Sequence, residues 1–388
     1  MSDTFIFRVR FALLLASIVL ANLASPTFAQ QNPDIRSAVL PFVEKGALAG
    51  AVMLVADRDK TLTVETVGFS DVPAKRPIAA NDVFWIASMS KPITASALMV
   101  LVDEGKVQLD DPVEKYLPEF KGVWLITQQD DNHRVLRHPA KLITVRDLLR
   151  HTSGMPFQSP LETPTLDGLS LPVAVRSYAM TPLIYEPNTK YQYSNAGINT
   201  AARIIEVVEK QPFEEFLDKR FFEPLGMKDT TFWPNDEQVR RAVKAYKPTD
   251  DKASMVETQI SQLTYPLNDR RRGPMPAGGL FSTAADLGVY CQMILNNGQF
   301  RGKRYLSEKS IKEMATRQTG DWTKESYGLG WQVGDGWLGH GGALSTNMTV
   351  DYKRGIATVW LVQHAGFPQD GDKAHGAFVQ AAQRLAKP

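Results

Sequence analysis

The chain has 388 residues, of which 43% are hydrophobic and 22% are charged, and its formal net charge is +2. This length can bury a large core, and the composition excludes a disordered or fibrous protein. The nearly balanced charge also excludes the basic surface of a nucleic-acid-binding protein, so no nucleic acid is expected as a partner.

The N-terminus has the residue order of a secretory signal peptide. Arg8 and Arg10 precede a run of apolar and small residues, 11–23, that is too short to span a bilayer. The small-residue site that follows predicts cleavage near Ala29. We therefore expect an exported protein, periplasmic or secreted, with no stable membrane span. An uncleaved membrane anchor is the alternative.

The next segment predicts a β-hairpin and then a buried helix. Residues 48–56 form an apolar run, and residues 61–67 alternate between apolar and polar side chains. The charged turn between these runs is typical of two antiparallel strands. The apolar run 93–102 then predicts a helix that ends near Gly105, because glycine is common just after a helix.

A serine and a lysine three residues apart, Ser88 and Lys91, precede that apolar run. Residues at this spacing are neighbours on the surface of a helix. A serine hydroxyl alone is a weak nucleophile, and a lysine amine beside it can act as its base or its electrostatic partner. The pair therefore predicts a candidate nucleophile and its activating group.

The remainder of the chain changes character twice. Residues 107–269 have the pattern of helices and loops, whereas strand-like runs return at 327–333, 345–352 and 356–363. A final helix is predicted from about residue 373. Strands near both ends of the chain predict one antiparallel sheet with the middle segment inserted into it.

The predicted fold class is therefore α/β, of the α+β kind: an antiparallel sheet flanked by helices, with an inserted all-helical subdomain. The predicted boundaries are residues 1–29 for the signal peptide, 30–106 and 270–388 for the sheet subdomain, and 107–269 for the helical subdomain.

Two further motifs complete the candidate site. Tyr193 and Asn195 come just before a predicted helix. A tyrosine phenol can act as a general base when a nearby cation lowers its pKa, and an asparagine amide can hold a lysine and a substrate amide together. His340, Gly341 and Gly342 lie at the edge of a strand-like segment. Glycines there allow a substrate to approach closely, and backbone N–H groups can face an oxyanion.

Three other residues are predicted to have structural roles. His151 is expected to pack or hydrogen-bond within its own segment. Cys291 lies in a predicted helix interior and is expected to be a buried thiol, and as the only cysteine it cannot form an internal disulfide. His364 is followed by alanine and glycine and could be confused with the third motif, but we place it in the loop after a core strand.

In this order, the three motifs resemble those of the serine β-lactamase and penicillin-binding-protein superfamily, in particular the branch of class C β-lactamases, D-alanyl-D-alanine carboxypeptidases and related esterases. Flanking segments such as residues 148–154, 277–283 and 327–331 are similar to the same branch. The resemblance extends from about residue 35 to the C-terminus and implies the β-lactamase/transpeptidase-like fold.

The resemblance also implies an acyl-enzyme mechanism. Ser88 would attack a carbonyl, with Lys91 and Tyr193 sharing the removal of its proton, and Tyr193 would protonate the leaving group. The backbone N–H groups of Ser88 and Ala343 would hold the oxyanion. The substrate would be bound by the remaining motif residues, Asn195, His340, Gly341 and Gly342. No cofactor is implied, and no spacing of histidines with carboxylates predicts a metal site.

One departure affects the expected substrate. His340 stands where class C β-lactamases have a lysine, and a histidine is often neutral at pH 7, so it should bind a carboxylate less well. This favours a peptidase or an esterase over a dedicated β-lactamase. A purely structural role for His340 in a tight turn is the alternative.

The substrate class stays open between a β-lactam, a peptidoglycan-derived D-amino-acid peptide and a short ester, since one fold hosts all of these activities. The second hypothesis is a catalytically silent cell-envelope binding protein that retains the cleft. The presence of Ser88, Lys91 and Tyr193 argues against it, because a degenerate member would be expected to lose them.

Overall fold

The computed structural model describes residues 32–386, so the predicted signal peptide lies outside the described residues. The strands in this range are β1 Gly50–Asp57, β2 Thr61–Asp71, β3 Arg76–Pro77, β4 Phe84–Trp85, β5 Leu125–Gln129, β6 Arg134–Arg137, β7 Ala245–Pro248, β8 Met255–Thr258, β9 Phe281–Ser282, β10 Gln299–Phe300, β11 Lys303–Arg304, β12 Gln332–Gly334, β13 Trp337–Gly341, β14 Asn347–Asp351 and β15 Ile356–Leu361.

The α-helices of the same range are α1 Pro33–Glu44, α2 Ser90–Asp103, α3 Val145–Leu149, α4 Leu171–Met180, α5 Asn195–Glu209, α6 Phe213–Leu217, α7 Glu223–Leu225, α8 Asp236–Arg241, α9 Ala284–Leu295, α10 Glu308–Ala315 and α11 Lys373–Gln383. Short 3₁₀ turns lie at Ala87–Met89, Val113–Lys115 and Pro118–Phe120, and a π-helical turn at Asp218–Phe222 connects α6 to α7.

The main sheet is antiparallel and has seven strands in the order β12-β13-β14-β15-β1-β2-β3. Strand β1 pairs with β2 on one side and with β15 on the other, so the two ends of the chain meet at the centre of the sheet. The predicted fold class, an antiparallel sheet built from both ends and flanked by helices, is confirmed.

Helices cover both faces of the sheet, and β1 is accordingly apolar on both of its faces. Val52 and Leu54 belong to the large core that contains α2 and α9, whereas Met53 and Val55 pack against α1 and α11. Successive side chains of a strand point to opposite faces, which explains why a run of apolar residues occupies this strand.

Helix α2 lies inside the large core. Every side chain from Ser90 to Leu101 is buried, so this helix has no solvent-facing stripe. It packs against α5 of the inserted segment, and α9 packs on β1, β14 and β15. The position of α2 places its N-terminus between the sheet and the inserted segment, and Ser88 lies in the turn that leads into it.

The inserted segment differs from the helical prediction in one respect. It contains α3 to α8, but also two short hairpins, β5–β6 and β7–β8, whose strands have four or five residues. Most of their side chains are exposed, so these strands lack the buried alternating face that identifies a strand in the sequence.

A second difference concerns residues 327–333, which were predicted to form a strand. Only Gln332–Gly334 is a strand, because the preceding residues turn tightly against α2. Gly330 has φ +75°, and a Cβ at this position would lie 2.4 Å from the Cβ of Ala95. No helix among residues 32–386 combines the length and the apolar character that a membrane span requires.

Candidate active site

Ser88 is held at the entrance to α2 by a strained turn. The preceding residue, Ala87, has φ +47° and is buried, which is uncommon for a residue with a Cβ. Ile86 donates its N–H to Leu280 O at 3.0 Å, and Met89 donates to Ile86 O at 3.1 Å. These bonds fix the backbone on both sides of Ser88, whose side chain is only partly buried.

Lys91 is fully buried one turn further along, and three oxygen atoms accept from its Nζ. These acceptors are Ser88 Oγ at 3.1 Å, Asn195 Oδ1 at 2.8 Å and the carbonyl oxygen of Ala277 at 2.8 Å. An ammonium group has three N–H donors, so the three oxygens match its charged form. Burial acts in the opposite direction and lowers the pKa of Lys91 well below its usual value.

Helix α5 contributes two residues that hold Lys91 in place, one directly and one through Ala277. Asn195, the first residue of α5, accepts from Lys91 directly. Asn199 lies one turn later, on the same face of the helix. Its Oδ1 accepts from the N–H of Ala277 at 2.9 Å, and the carbonyl oxygen of Ala277 is the third acceptor of Lys91. The sequence assigns no role to Asn199 or to Ala277, which begins the flanking segment 277–283. The spacing of four from Asn195 is the available signal for Asn199.

Tyr193 lies over Lys91 and close to Ser88. The Nζ of Lys91 is 4.5 Å from the centre of the Tyr193 ring. Burial raises the pKa of the Tyr193 phenol above its usual value of 10.0, and a hydrogen bond with the Ser88 side chain acts in the opposite direction. The condition given for Tyr193 as a general base, a pKa lowered by a nearby cation, is therefore not met, because the loss of solvent dominates.

The third motif reaches the site through β13. A Cβ on Gly342 would lie 2.6 Å from Ile86 O and 3.3 Å from the Cβ of Ala87, so only glycine allows the backbone to pass this close to the Ser88 turn. In this part of the structure the N–H of Ala343 makes no hydrogen bond to any described residue. Its position next to Gly342 makes it available to an oxyanion.

His340 is buried, and both of its ring nitrogens are engaged. Nδ1 is 2.7 Å from the carbonyl oxygen of Gly341, and Nε2 is 3.0 Å from the hydroxyl of Tyr327. A carbonyl only accepts, so Nδ1 carries the proton and Nε2 accepts from Tyr327. Burial, together with the charge of Lys91, lowers the pKa of His340 to about 3. His340 is therefore neutral at physiological pH.

Tyr327 belongs to this site, but the sequence assigns it no role there. It lies in the flanking segment 327–331, and its 13-residue separation from His340 gives no signal of contact. Two of the three residues with predicted structural roles, Cys291 and His364, lie as expected. Cys291 is buried in α9, and His364 follows β15 and accepts from the N–H of Ala49 at 3.0 Å. His151 is buried, but it packs against Tyr193 and accepts from the N–H of Ser194, and both residues lie outside the segment within which it was expected to pack or hydrogen-bond.

The sequence model of the Beta-lactamase family matches residues 35–383. Protein Rv1367c of Mycobacterium tuberculosis is 33% identical over 318 residues, covering 79% of this chain and 77% of that protein. The lovastatin esterase of Penicillium rubens is 26% identical over 381 residues, covering 85% and 92%. The solved structure of simvastatin synthase (LovD) from Aspergillus terreus has a TM-score of 0.77 at 19% identity, covering 91% and 98% of the two chains.

Proposed function

Because the chain belongs to the β-lactamase family, we propose that it is a serine hydrolase that cleaves neutral esters through an acyl-enzyme on Ser88. The likeness to the lovastatin esterase supports an ester substrate. A β-lactam and a D-amino-acid peptide, the other two substrate classes left open by the sequence, both present a carboxylate to the third motif.

The hydrogen-bond partners of both ring nitrogens of His340 are the observation that carries the choice of substrate. Lys91 is the only side chain of the three motifs with a cationic group, and it is fully enclosed by its own acceptors. His340 offers no free nitrogen and no charge to a substrate carboxylate. Binding a carboxylate without a compensating charge costs free energy, so a neutral ester is the better substrate.

In the proposed acylation step, Ser88 Oγ forms a bond to the ester carbonyl carbon and its proton passes to Lys91 Nζ in the neutral form. The developing oxyanion accepts from the N–H groups of Ser88 and Ala343. Tyr193 then donates its phenol proton to the alkoxide as the carbon–oxygen bond breaks, and it regains a proton from Lys91. The alcohol leaves, and Ser88 carries the acyl group.

In the deacylation step, water attacks the acyl carbonyl and gives up its proton to the Tyr193–Lys91 pair. The bond from the carbonyl carbon to Ser88 Oγ then breaks, and Oγ regains a proton as the acid is released. Asn195 keeps Lys91 in place throughout. Lys91, with a lowered pKa, is the base of this pair, whereas the raised pKa of Tyr193 suits a relay that stays protonated between transfers.

The test is hydrolysis of a short neutral ester, p-nitrophenyl butyrate, together with the intact mass of the protein during turnover. We expect an acyl adduct on the wild type that is absent from Ser88→Ala. Ser90→Ala is the matched control, because Ser90 lies in the same motif but bonds to Ala87 O and Leu280 N–H in the core. It should still form the adduct.

The same assay on benzylpenicillin and on a D-alanyl-D-alanine peptide tests the substrate class. Faster turnover of either carboxylated substrate than of the neutral ester would contradict the preference argued from His340. Turnover retained in Ser88→Ala would contradict the acyl-enzyme. Wild-type protein that binds penicillin but hydrolyses none of the three substrates would instead support a silent binding protein.

We also propose that the protein is exported after cleavage near Ala29. The order of charged, apolar and small residues in the N-terminal segment supports this proposal. N-terminal sequencing of protein recovered from the expressing cells and from their medium tests it. A mature chain that begins at Gln30 is expected, and a chain that retains its N-terminal residues in every fraction would contradict it.

A further inference from the structure

His151 holds the backbone on both sides of Tyr193. Its carbonyl oxygen accepts from the N–H of Gln192 at 2.9 Å, and its ring Nδ1 accepts from the N–H of Ser194 at 3.2 Å. The residues before and after Tyr193 are thus bonded to one residue of another segment. A shift of His151 would move Tyr193 with it.

The ring of His151 also packs against Tyr193 directly. The two ring centres are 4.5 Å apart, and the ring of Tyr327 lies 4.8 Å from His151 on another side. His151 has no exposed surface. The titratable side chains that face it are Lys91 from α2, Tyr185, Tyr191 and Tyr193 from the segment before α5, Tyr327, and His340 from β13.

His151 is itself rigidly anchored. It follows α3 and has φ +61°, a left-handed conformation that is uncommon for residues other than glycine and that persists where the surroundings enforce it. The next residue, Thr152, donates its N–H to Asp147 O at 2.9 Å and its hydroxyl to Asp147 Oδ1 at 2.6 Å. Asp147 is buried and closes the capping box of α3 with Thr144.

The role of Nδ1 as an acceptor defines the protonation state of His151. The proton of the neutral ring is then on Nε2, which is buried and has no partner among the described residues. Burial and the charge of Lys91 lower the pKa of His151 well below its usual value. The ring therefore accepts from Ser194 without adding a second charge next to Lys91.

We propose that His151 is a positioning residue for Tyr193, and that its Nδ1 acceptor sets the orientation of the phenol relative to Ser88 and Lys91. This inference rests on the proposed function for its effect on turnover. The hydrogen bonds to Gln192 and Ser194 carry its structural part, which can be measured without any substrate. A histidine that merely filled space would not depend on the acceptor atom.

The test compares His151→Asn with His151→Gly. Both residues tolerate a positive φ, so neither variant adds backbone strain. Asparagine keeps an acceptor near the position of Nδ1, whereas glycine has none. The matched control is His364→Gly, which removes another buried histidine that accepts a backbone N–H, that of Ala49, outside the site.

Two measurements are made on the full chain: kcat and KM for p-nitrophenyl butyrate, and amide hydrogen exchange of residues 188–195. We expect kcat of His151→Gly to fall about 10²-fold, because a displacement of about 1 Å in a catalytic group has this effect. KM should change little, and exchange in 188–195 should accelerate. His151→Asn should recover most of both losses, and His364→Gly should show neither.

Equal behaviour of the asparagine and glycine variants would overturn the proposal, as would unchanged exchange in 188–195. Losses of kcat and protection in His364→Gly that match those of His151→Gly would also overturn it, since they would reflect general destabilisation. If the wild type forms no adduct on Ser88, the proposed function fails, and the exchange data still decide whether His151 positions Tyr193.

Discussion

Two buried nitrogen bases meet at this site, and their partners differ in kind. Lys91 on α2 is surrounded by three oxygen acceptors, which suit a charged ammonium group. His340 on β13 has one acceptor, the Gly341 carbonyl, and one donor, the Tyr327 hydroxyl, which suit a neutral imidazole. The two side chains are similarly buried, so burial alone does not determine which one carries charge.

The comparison shows how the site separates two tasks. The proton transfers of the proposed reaction involve Lys91, whose Nζ lies beside the Ser88 hydroxyl and under the Tyr193 ring. The third motif contributes an uncharged side chain and a close backbone approach instead. Each of the following variants changes either Lys91 or the third motif and leaves the other unchanged.

The largest effect is expected from Lys91→Met, which removes the charge and keeps an unbranched side chain. We expect kcat/KM for the neutral ester to fall about 10²- to 10⁴-fold, the usual contribution of a general base. The free energy of unfolding should change by at most about 1–3 kcal/mol, because Asn195 Oδ1 and Ala277 O lose a buried donor while the desolvation of a buried charge is removed. Steady-state kinetics and urea denaturation check both parts.

Wild-type activity in Lys91→Met would show that Tyr193 takes the Ser88 proton without the lysine. A large loss of stability together with the loss of activity would show that Lys91 holds α2 and α5 together, and that its charge is not a cost to the fold. Either result would remove the contrast between Lys91 and His340.

The second variant acts on the backbone of the third motif. In Gly342→Ala the new Cβ would lie 2.1 Å from Thr346 Oγ1 and 2.6 Å from Ile86 O, so the end of β13 must move away from the Ser88 turn. We expect kcat/KM to fall about 10²-fold, as for a displacement of about 1 Å. In the control Gly341→Ala the nearest atom is Thr346 O at 3.5 Å, an ordinary contact.

The quantity to compare is kcat/KM of Gly342→Ala against kcat/KM of Gly341→Ala. Both add one methyl group to the same motif, but only one creates a collision with the Ser88 turn. Crystal structures of the variants would show whether the separation between Ala343 and Ser88 increases in Gly342→Ala alone. Equal kinetics for the two variants would contradict the argument that close approach, and not glycine flexibility, is required at Gly342.

The main sheet could be predicted from the sequence because its signals are local. The apolar run of β1 and the alternation in β2 identify the central hairpin. The motif residues Ser88, Lys91 and Asn195 are brought together as well.

The sequence could not show the electrostatic environment of the site, because it depends on contacts between distant residues. A nearby cation would lower the pKa of Tyr193, but burial of the phenol raises it. The partner of His340 comes from Tyr327, in a segment that was predicted to be a strand and instead bends tightly at Gly330. No residue spacing encodes either fact.

The third variant, Tyr327→Phe, tests the donor that keeps His340 neutral. It leaves Nε2 of His340 buried without a partner, so we expect a loss of about 1–3 kcal/mol in the free energy of unfolding. The pKa of His340 should rise, because the nitrogen lone pair becomes free to bind a proton. Chemical denaturation measures the loss, and NMR of the imidazole nitrogens follows the titration.

Tyr290→Phe is the matched control for this variant. Tyr290 is a buried tyrosine of α9 whose hydroxyl bonds to Ser96 Oγ at 2.8 Å, in the core. Its loss of stability should be similar, but the titration of His340 should not move. An unchanged His340 titration in Tyr327→Phe would show that burial alone keeps this histidine neutral.

The smallest effect is expected in the slope of the free energy of unfolding against pH. In the folded protein the pKa of His340 is about 3, below the ordinary value of 6.5 that applies to the unfolded chain. Between these values the unfolded state binds one more proton, so the stability from this group is complete above pH 6.5 and is lost as the pH falls. Its contribution to the slope is about 1.4 kcal/mol per pH unit.

His340→Gln should remove that contribution, because glutamine does not titrate and its amide oxygen can still accept from the Tyr327 hydroxyl. Urea denaturation of both proteins between pH 6 and pH 4.5 gives the two slopes. The other buried histidines are the same in both chains, so the difference isolates His340. Parallel slopes would mean that His340 binds its proton equally in both states, which would contradict the argument that the folded site suppresses its protonation and would weaken the case for neutral esters.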